Sequence, residues 1–488
     1  RKASCHRPSG HISEMEVFNL LDHLQPTATG LDLVPAWFLR LTAPVFSAPI
    51  AHLFNWSIDS AVVPTQWKRA FIMPIPKVAN PRIPADYRPI SITPVLTRLL
   101  EKHTVRSYIY PALYRPLRRC CLDPPPLLDF SDQFAFRPTG STTAALVTLF
   151  HTIGQLLNTN DYVRVIALDF SKAFDTVRHA ALFNKLSMLD IPDAVYNWMR
   201  DFFEGHAHCT KFNGIESLFL EIRASVFQGS AIGPASYVVT AADLRTVHDT
   251  NKLLKYADDT YLIVPAGAAQ TVQQEINHIA EWSQANNLRL NHSKSQEMIF
   301  VARRARRSHV SPPDPIPGIE RVEAMTVLGV RVDDRLAATG HVTATTSACA
   351  RTLYALRTLK AHGLVGHALH TVFKATVLAK LLYAAPAWSG FCLAADRGRM
   401  DSFLRRCKQF GFCDPDTPSI AEHFGRADEM LFDSVRTNDS HVLYPLLPAK
   451  TERRYNLRRR RHDYELITKT PTLNENHFII RMLYKDCY

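Results

Sequence analysis

Several large protein classes are excluded by what this sequence lacks. It has nine cysteines in 488 residues and no Cys-x-x-Cys pair. The spacing of Cys392, Cys407, Cys413 and His423 matches no zinc module, so these are expected to be core or surface thiols. A reducing, intracellular compartment fits such thiols. No uncharged apolar run reaches the roughly 18 residues of a spanning helix, so no membrane partner is expected. No basic start leads into an apolar stretch, so no secretory signal is expected. The chain opens on Arg1 and reads as starting inside something longer. No unit of roughly 20–50 residues repeats. Acidic charge is also short: 45 Asp and Glu face 57 Lys and Arg, a net +12. That balance points to a polyanionic partner, nucleic acid before membrane.

What is present is ordinary globular material, 46% hydrophobic and 21% charged. At about 100–200 residues per domain the length suggests two to four domains. Apolar spacing over 14–60, punctuated by Pro26, Pro35, Pro44 and Pro49, predicts short helices. The stretch "WKRAFIMPIPK" (67–77) predicts an extended segment, and its prolines place it at a sheet edge. Residues 85–109 predict a turn entering an amphipathic helix, and 141–157 a helix capped by Ser141. "YVRVIALDF" (162–170) has the apolar, β-rich character of a buried strand. Further helices are expected over 179–190, 193–203, 270–287 and 342–410. The segments 115–129, rich in Pro, Cys and Arg, and 303–318 read as an insertion and a linker. "RRYNLRRRRH" (453–462) is a block of positive charge. The order of helices, mixed strands and helices, then helices again suggests an α+β centre with helical flanks.

The chemistry concentrates in "LLKYADDTYLIVPA" (253–266). Adjacent side chains on a strand face opposite ways, so two aspartates in mid-strand would bury a charge at high cost. A hairpin turning at Asp258-Asp259 avoids this by placing both carboxylates at a sheet end. A plain polar turn is the commoner explanation of an isolated Asp-Asp. A second acidic element, "VIALDFSKAFD", ends a strand at Asp169, with Phe170, Phe174 and Asp175 following. Carboxylates from two strand ends can hold two divalent cations about 3.5–4 Å apart, the arrangement that serves in-line phosphoryl displacement. Mg²⁺ takes oxygen ligands and keeps phosphates as partners. Between the two elements lies "FQGSAIGPASYVV" (227–239), a glycine-bearing loop that lets backbone approach a ligand closely.

The ordered series "KRAFIMPIPK", "DYRPISI", "DQFAFRP", "LDFSKAFDTV", "QGSAIGP", "YADDTYLIV", "NNLRLNHSKS" and "VLGVRVD" resembles the successive motifs of a reverse transcriptase, in the flavour of non-LTR (LINE-type) retrotransposons. The resemblance covers roughly residues 30–335, and the C-terminal stretch is similar to the tails of animal LINE polyproteins. It implies an α+β right-hand polymerase: an N-terminal helical extension over 1–60, fingers and palm over 61–335, a helical thumb over 336–430 and a basic tail over 431–488. It implies RNA-directed DNA polymerase activity with two Mg²⁺, Mn²⁺ being a substitute, and RNA template, DNA primer or target and dNTP as partners. Asp169, Asp258 and Asp259 correspond to the metal-binding catalytic triad and Lys294 to a proton donor for pyrophosphate. Lys77, Arg88, Phe170, Phe174, Gln228 and Gly229 correspond to nucleotide-binding positions, with Phe174 excluding ribonucleotides. Leu328, Gly329 and Val330 correspond to the hairpin that grips the primer end. The nucleus is the implied place of integration, the cytoplasm the alternative. Two departures stand out: the long 115–129 segment, and Phe227 where a small residue or proline is commoner. A catalytically inactive nucleic-acid-binding relic of such an element is the competing reading.

Overall fold

The computed structural model describes residues 10–114, 128–171, 173–302, 312–451 and 462–486. Most of the 115–129 segment, the basic run at 303–311 and nearly all of the 453–462 block lie outside the described residues. Helices and sheets are mixed throughout, the α+β class expected. The chain packs into two compact units, each assembled from separate stretches: Arg1–Phe130 with Phe170–Arg245 and Ile279–Leu290, and Ser131–Asp169 with Thr246–His278 and Asn291–Tyr488.

The first unit opens with helices Glu14–Asp22, Ala36–Leu41 and Ala43–Asp59. Ser13 and Glu16 cap the first reciprocally, satisfying backbone donors that a helix start leaves free. Pro35 and Pro44 sit at helix starts, where a missing N–H costs nothing. Pro49 does not end its helix, contrary to expectation. The buried face of Ala43, Ser47, Ile50, Ala51, Phe54 and Ile58 continues through it and outweighs one lost backbone bond.

The sheet of this unit runs in the order Tyr87–Ile92, Arg69–Pro76, Ala207–Phe212, Ile215–Glu216. Arg69–Pro76 is thus not an edge strand, a correction to the reading of its prolines. Its parallel partner covers only Arg69–Ile72, however, while Pro74 and Pro76 pair on one side alone, with Pro89 and Tyr87. The prolines occupy the part of the strand that is locally an edge. Helix Asp193–Phe203 buries Val195, Tyr196, Trp198, Met199, Phe202 and Phe203, a helical stripe against the core.

The second unit is built on a sheet ordered Glu320–Arg321, Gln296–Val301, Tyr162–Leu168, Asp259–Pro265, Lys252–Tyr256. Tyr162–Leu168 is central and antiparallel to both neighbours, and Val163, Val165, Ile166 and Leu168 are all buried. Helix Thr142–Leu156 covers this core. Its start is capped as expected, the Ala144 amide donating to Ser141 Oγ at 3.1 Å.

Helices Thr339–Ala361, Gly366–Phe373, Ala394–Gln409 and Ile420–Thr437 complete the unit. The helical stretch Gly366–Phe391 is long and apolar enough to cross a membrane, which the sequence reading did not anticipate. Its Leu369, Phe373, Val377, Leu381 and Trp388 are nonetheless buried in the protein core. The described cysteines are free and buried.

The end of the chain also enters this core. Helix Phe478–Tyr484 buries Phe478, Ile479, Ile480, Met482 and Leu483. Its Arg481 forks onto Asp428, Nε to Oδ2 at 2.8 Å and Nη2 to Oδ1 at 3.0 Å. The buried Asp428 carboxyl is pushed up by its surroundings against the pull of Arg481. Arg481→Ala strands that carboxylate and is expected to cost about 3–5 kcal/mol. A lowered thermal midpoint with no change in the far-ultraviolet spectrum of the folded chain checks this.

Candidate active site

Pairing within the second unit sets the acidic residues. Leu168 stands opposite Thr260, so continuing the ladder by one residue puts Asp169 beside Asp259. On the other side Asp259 pairs with Tyr256. The hairpin therefore turns on Ala257 and Asp258, one residue earlier than expected, and Asp259 opens the returning strand. Ala257 takes the left-handed conformation, φ 56°, a position more often given to Asn, Asp or Gly.

Asp169 and Asp258 are half-buried and Asp259 keeps solvent access. The protein packed around Asp259, followed by the charges of Asp258 and then Asp169, pushes its carboxyl from 3.8 up to about 6. Like charges held close disfavour one another's ionisation, and here they add to the larger effect of burial. Among the described residues no group of three His, Cys, Asp or Glu is arranged to hold a metal ion. The donor chemistry still fits one: carboxylate oxygens suit a hard divalent cation, whose charge would relieve this repulsion.

Two further turns attach here. The Asp169 amide donates to Ser295 Oγ at 3.2 Å, and the Asn291 amide donates to the Asp169 carbonyl at 2.8 Å. Exposed Lys294 is carried on this Asn291–Ser295 turn. The Leu328–Gly329 turn joins strands Ala324–Val327 and Val330–Asp333. Tyr383 donates its hydroxyl to the Leu328 carbonyl at 2.9 Å.

The first unit carries the residues expected to bind nucleotide. Lys77 and Arg88 are exposed; Lys77 follows strand Arg69–Pro76, and Arg88 pairs with Ile75 across it. Phe174 stacks on buried Tyr237, ring centroids 4.6 Å apart. Phe170 is 5% exposed and meets Trp282 edge-on at 5.9 Å. Gln228 Nε2 donates to Asp175 Oδ1 at 2.9 Å, and its carbonyl accepts from the Ser91 amide at 2.7 Å. Gly229 has φ 113°, and a Cβ there would collide with the Ser91 carbonyl oxygen. Phe227 anchors the loop from below, stacked on His206 at 4.1 Å among Phe202, Phe203 and His208.

One residue important to this loop escaped the sequence reading. Glu101 is fully buried on helix Val95–Thr104. Its Oε2 accepts from Ser230 Oγ and from the Ala231 amide at 2.7 Å, so it fastens the loop where helix Ile232–Thr240 begins. Burial pushes its carboxyl up to about 7. The only trace in the sequence is an acidic residue at a position whose neighbours Leu99, Leu100 and Thr104 face the core.

The family model for reverse transcriptase (RNA-dependent DNA polymerase) matches residues 75–332, more than half of the chain. Among curated proteins, the chain is 27% identical over 433 residues to a probable RNA-directed DNA polymerase from transposon BS of Drosophila melanogaster, covering 83% of this chain and 46% of that protein. It is 27% identical to the RNA-directed DNA polymerase from mobile element jockey of the same organism, over 69% of this chain and 37% of that one. It is 23% identical to a retrovirus-related Pol polyprotein from type-1 retrotransposable element R2 of Bradysia coprophila, over 51% and 28%. The chain thus spans less than half the length of these relatives. Among solved structures, an apo telomerase from Candida tropicalis truncated from its C-terminal domain aligns with 59% of this chain and 58% of its own, at 15% identity and TM-score 0.38. Reverse transcriptases generally use divalent metal ions. With both acidic elements inside the matched span, the chain belongs to the reverse transcriptase (RNA-dependent DNA polymerase) family.

Proposed function

We propose that this chain is the RNA-directed DNA polymerase portion of a non-LTR retrotransposon protein, adding nucleotides from dNTP to a primer 3′-hydroxyl on an RNA template. The observation that carries the reading is the ladder register that sets Asp169 beside the Asp258–Asp259 turn. Asp169, Asp258 and Asp259 are the residues that would hold Mg²⁺, or Mn²⁺ in its place. Ions held there would supply Lewis-acid activation of the attacking hydroxyl and charge neutralisation at the leaving pyrophosphate.

The remaining roles fall to the chain's own groups. Lys294, on the turn bonded to Asp169, supplies a proton to pyrophosphate. Phe174, braced by Tyr237, limits room beside the sugar C2′ and so favours dNTP over NTP. Gln228 and Gly229 present a polar side chain and open backbone to the nucleotide, and Phe170 supports that region from the core. Lys77 and Arg88 neutralise the triphosphate, the planar guanidinium suiting phosphate oxygens. Residues 61–335 act as fingers and palm and 336–430 as thumb, where exposed Arg351, Tyr354 and Arg357 suit backbone contact with a duplex. In sequence the 1–60 extension precedes and the 431–488 tail follows these parts, the tail's Phe478–Tyr484 helix packing into the second unit, and integration would put the protein in the nucleus.

Primer extension on an oligo(dT)-primed poly(rA) template with Mg²⁺ tests the reading. Incorporation of dTTP is expected in the native chain, and Asp258→Ala is expected to lower it about 10²–10³-fold. Undiminished incorporation in that variant would sink the site assignment. Phe174→Ala is expected to reduce the preference for dNTP over NTP by about 10–100-fold, measured as a ratio of kcat/KM values.

The Asp259 shift gives a separate check without metal. Its folded pKa is raised, so its contribution to stability is full below 3.8 and is lost as pH rises through about 6. Asp169→Asn removes one of the two like charges, and the Asp259 midpoint is expected to fall. Carboxyl ¹³C NMR titration of the metal-free chain reads this directly.

A further inference from the structure

The "DQFAFRP" stretch has no role in the chemistry above, yet its second residue touches the acidic turn. Gln133 is 2% exposed. Its Oε1 accepts two backbone N–H bonds, from Ala135 and from Ala257, each at 3.0 Å. Ala257 is the first residue of the hairpin turn and holds φ 56° despite its Cβ.

The flanking backbone fixes Gln133 against the hairpin. The Lys255 amide donates to the Asp132 carbonyl at 2.7 Å, and the Phe134 amide donates to the Lys255 carbonyl at 2.9 Å. Buried Lys255 Nζ pairs with Asp132 Oδ2 at 2.9 Å. The stretch therefore runs beside the end of strand Lys252–Tyr256 as a short parallel rung. The Gln133 side chain carries the pairing on from Lys255 to the Ala257 amide, where the strand gives way to the turn.

We infer that Gln133 is a positioning residue for the polymerase reaction. By accepting from the Ala257 amide it holds that peptide in the left-handed turn, and so sets where Asp258 and Asp259 emerge beside Asp169. A positive φ that glycine would adopt unaided is here held by a buried side chain contributed from a distant part of the sequence. This inference rests on the polymerase reading.

Gln133→Met keeps the length of the side chain and loses the acceptor. On primed poly(rA) with Mg²⁺ it is expected to lower kcat about 10–100-fold while KM for dTTP stays within about twofold, since the loss is of alignment rather than of binding. In the metal-free chain, amide exchange at Ala257 is expected to quicken while the Leu262 and Ile263 amides stay protected. Adding Ala257→Gly to Gln133→Met is expected to restore most of kcat, because glycine enters the left-handed region without a Cβ penalty. A residue that merely filled the core would not be rescued this way. Wild-type kcat in Gln133→Met, an Ala257 amide that remains protected, or failure of the glycine rescue would each overturn the inference. A native chain that extends no primer would instead sink the polymerase reading, and the Ala257 exchange rate would still decide whether Gln133 holds the turn.

Discussion

Six backbone rungs join Tyr162–Leu168 to Asp259–Pro265, from Val163–Pro265 to Leu168–Thr260. A slip of one residue would carry Asp169 past Asp259 and turn every side chain of one strand to the opposite face. That slip is strongly opposed because both faces are occupied. Val163, Val165 and Ile166 on one strand, and Tyr261, Leu262, Ile263 and Val264 on the other, are all buried. Gln296–Val301 pairs along the far side of the central strand and adds a second set of rungs. Apolar burial, which has no direction of its own, thus fixes the position of three charges at the sheet end.

Those charges are held at a cost that the fold shows openly. Asp259 is the member whose ionisation suffers, pressed by its surroundings and by Asp258 and Asp169. A turn evolved only to reverse the chain would gain by separating like charges, whereas a site for a cation gains from keeping them together. In the other unit, fully buried Glu101 faces a similar penalty for the sake of a loop. Its hydrogen bonds to Ser230 and Ala231 offset part of the burial and fix the backbone that carries Gln228 and Gly229.

Much of this was legible in the sequence because the signals are local. The Ser141 cap, the buried strand before Asp169, the acidic hairpin and the glycine loop each follow from a few adjacent residues, and family membership brings the right-hand polymerase class with them. Where the reading slipped, a longer-range interaction had intervened. The turn lies at Ala257–Asp258 because strand pairing continues to Asp259, which overrides the usual preference for Asp in the left-handed position. Pro49 is tolerated because its helix is buried on both sides of it. The prolines of Arg69–Pro76 signalled an edge correctly for half the strand, and the parallel partner that covers the other half comes from Ala207–Phe212. Glu101 was missed, and Gln133 was given no role although its "DQFAFRP" stretch stood out, because their partners lie 129 and 124 residues away.

The functional candidates on turns share one design. Three such turns are tied by a side chain from elsewhere: Ala257–Asp258 by Gln133, Gln228–Gly229 through Ser230 by Glu101, and Leu328–Gly329 by Tyr383. Asn291–Ser295 inverts the pattern, its own Ser295 accepting from the backbone of Asp169. A turn left to itself samples several conformations, and an alignment error near 1 Å is enough to cost about 10²-fold in rate. Strands supply rigid positions but point their side chains across the sheet, so groups that must meet a substrate beyond the sheet end have to sit on turns. These ties resolve that conflict. They give turn residues the precision of strand residues, and they do so with neutral or hydrogen-bonded groups that add no further negative charge beside Asp169, Asp258 and Asp259 where Gln133 is concerned.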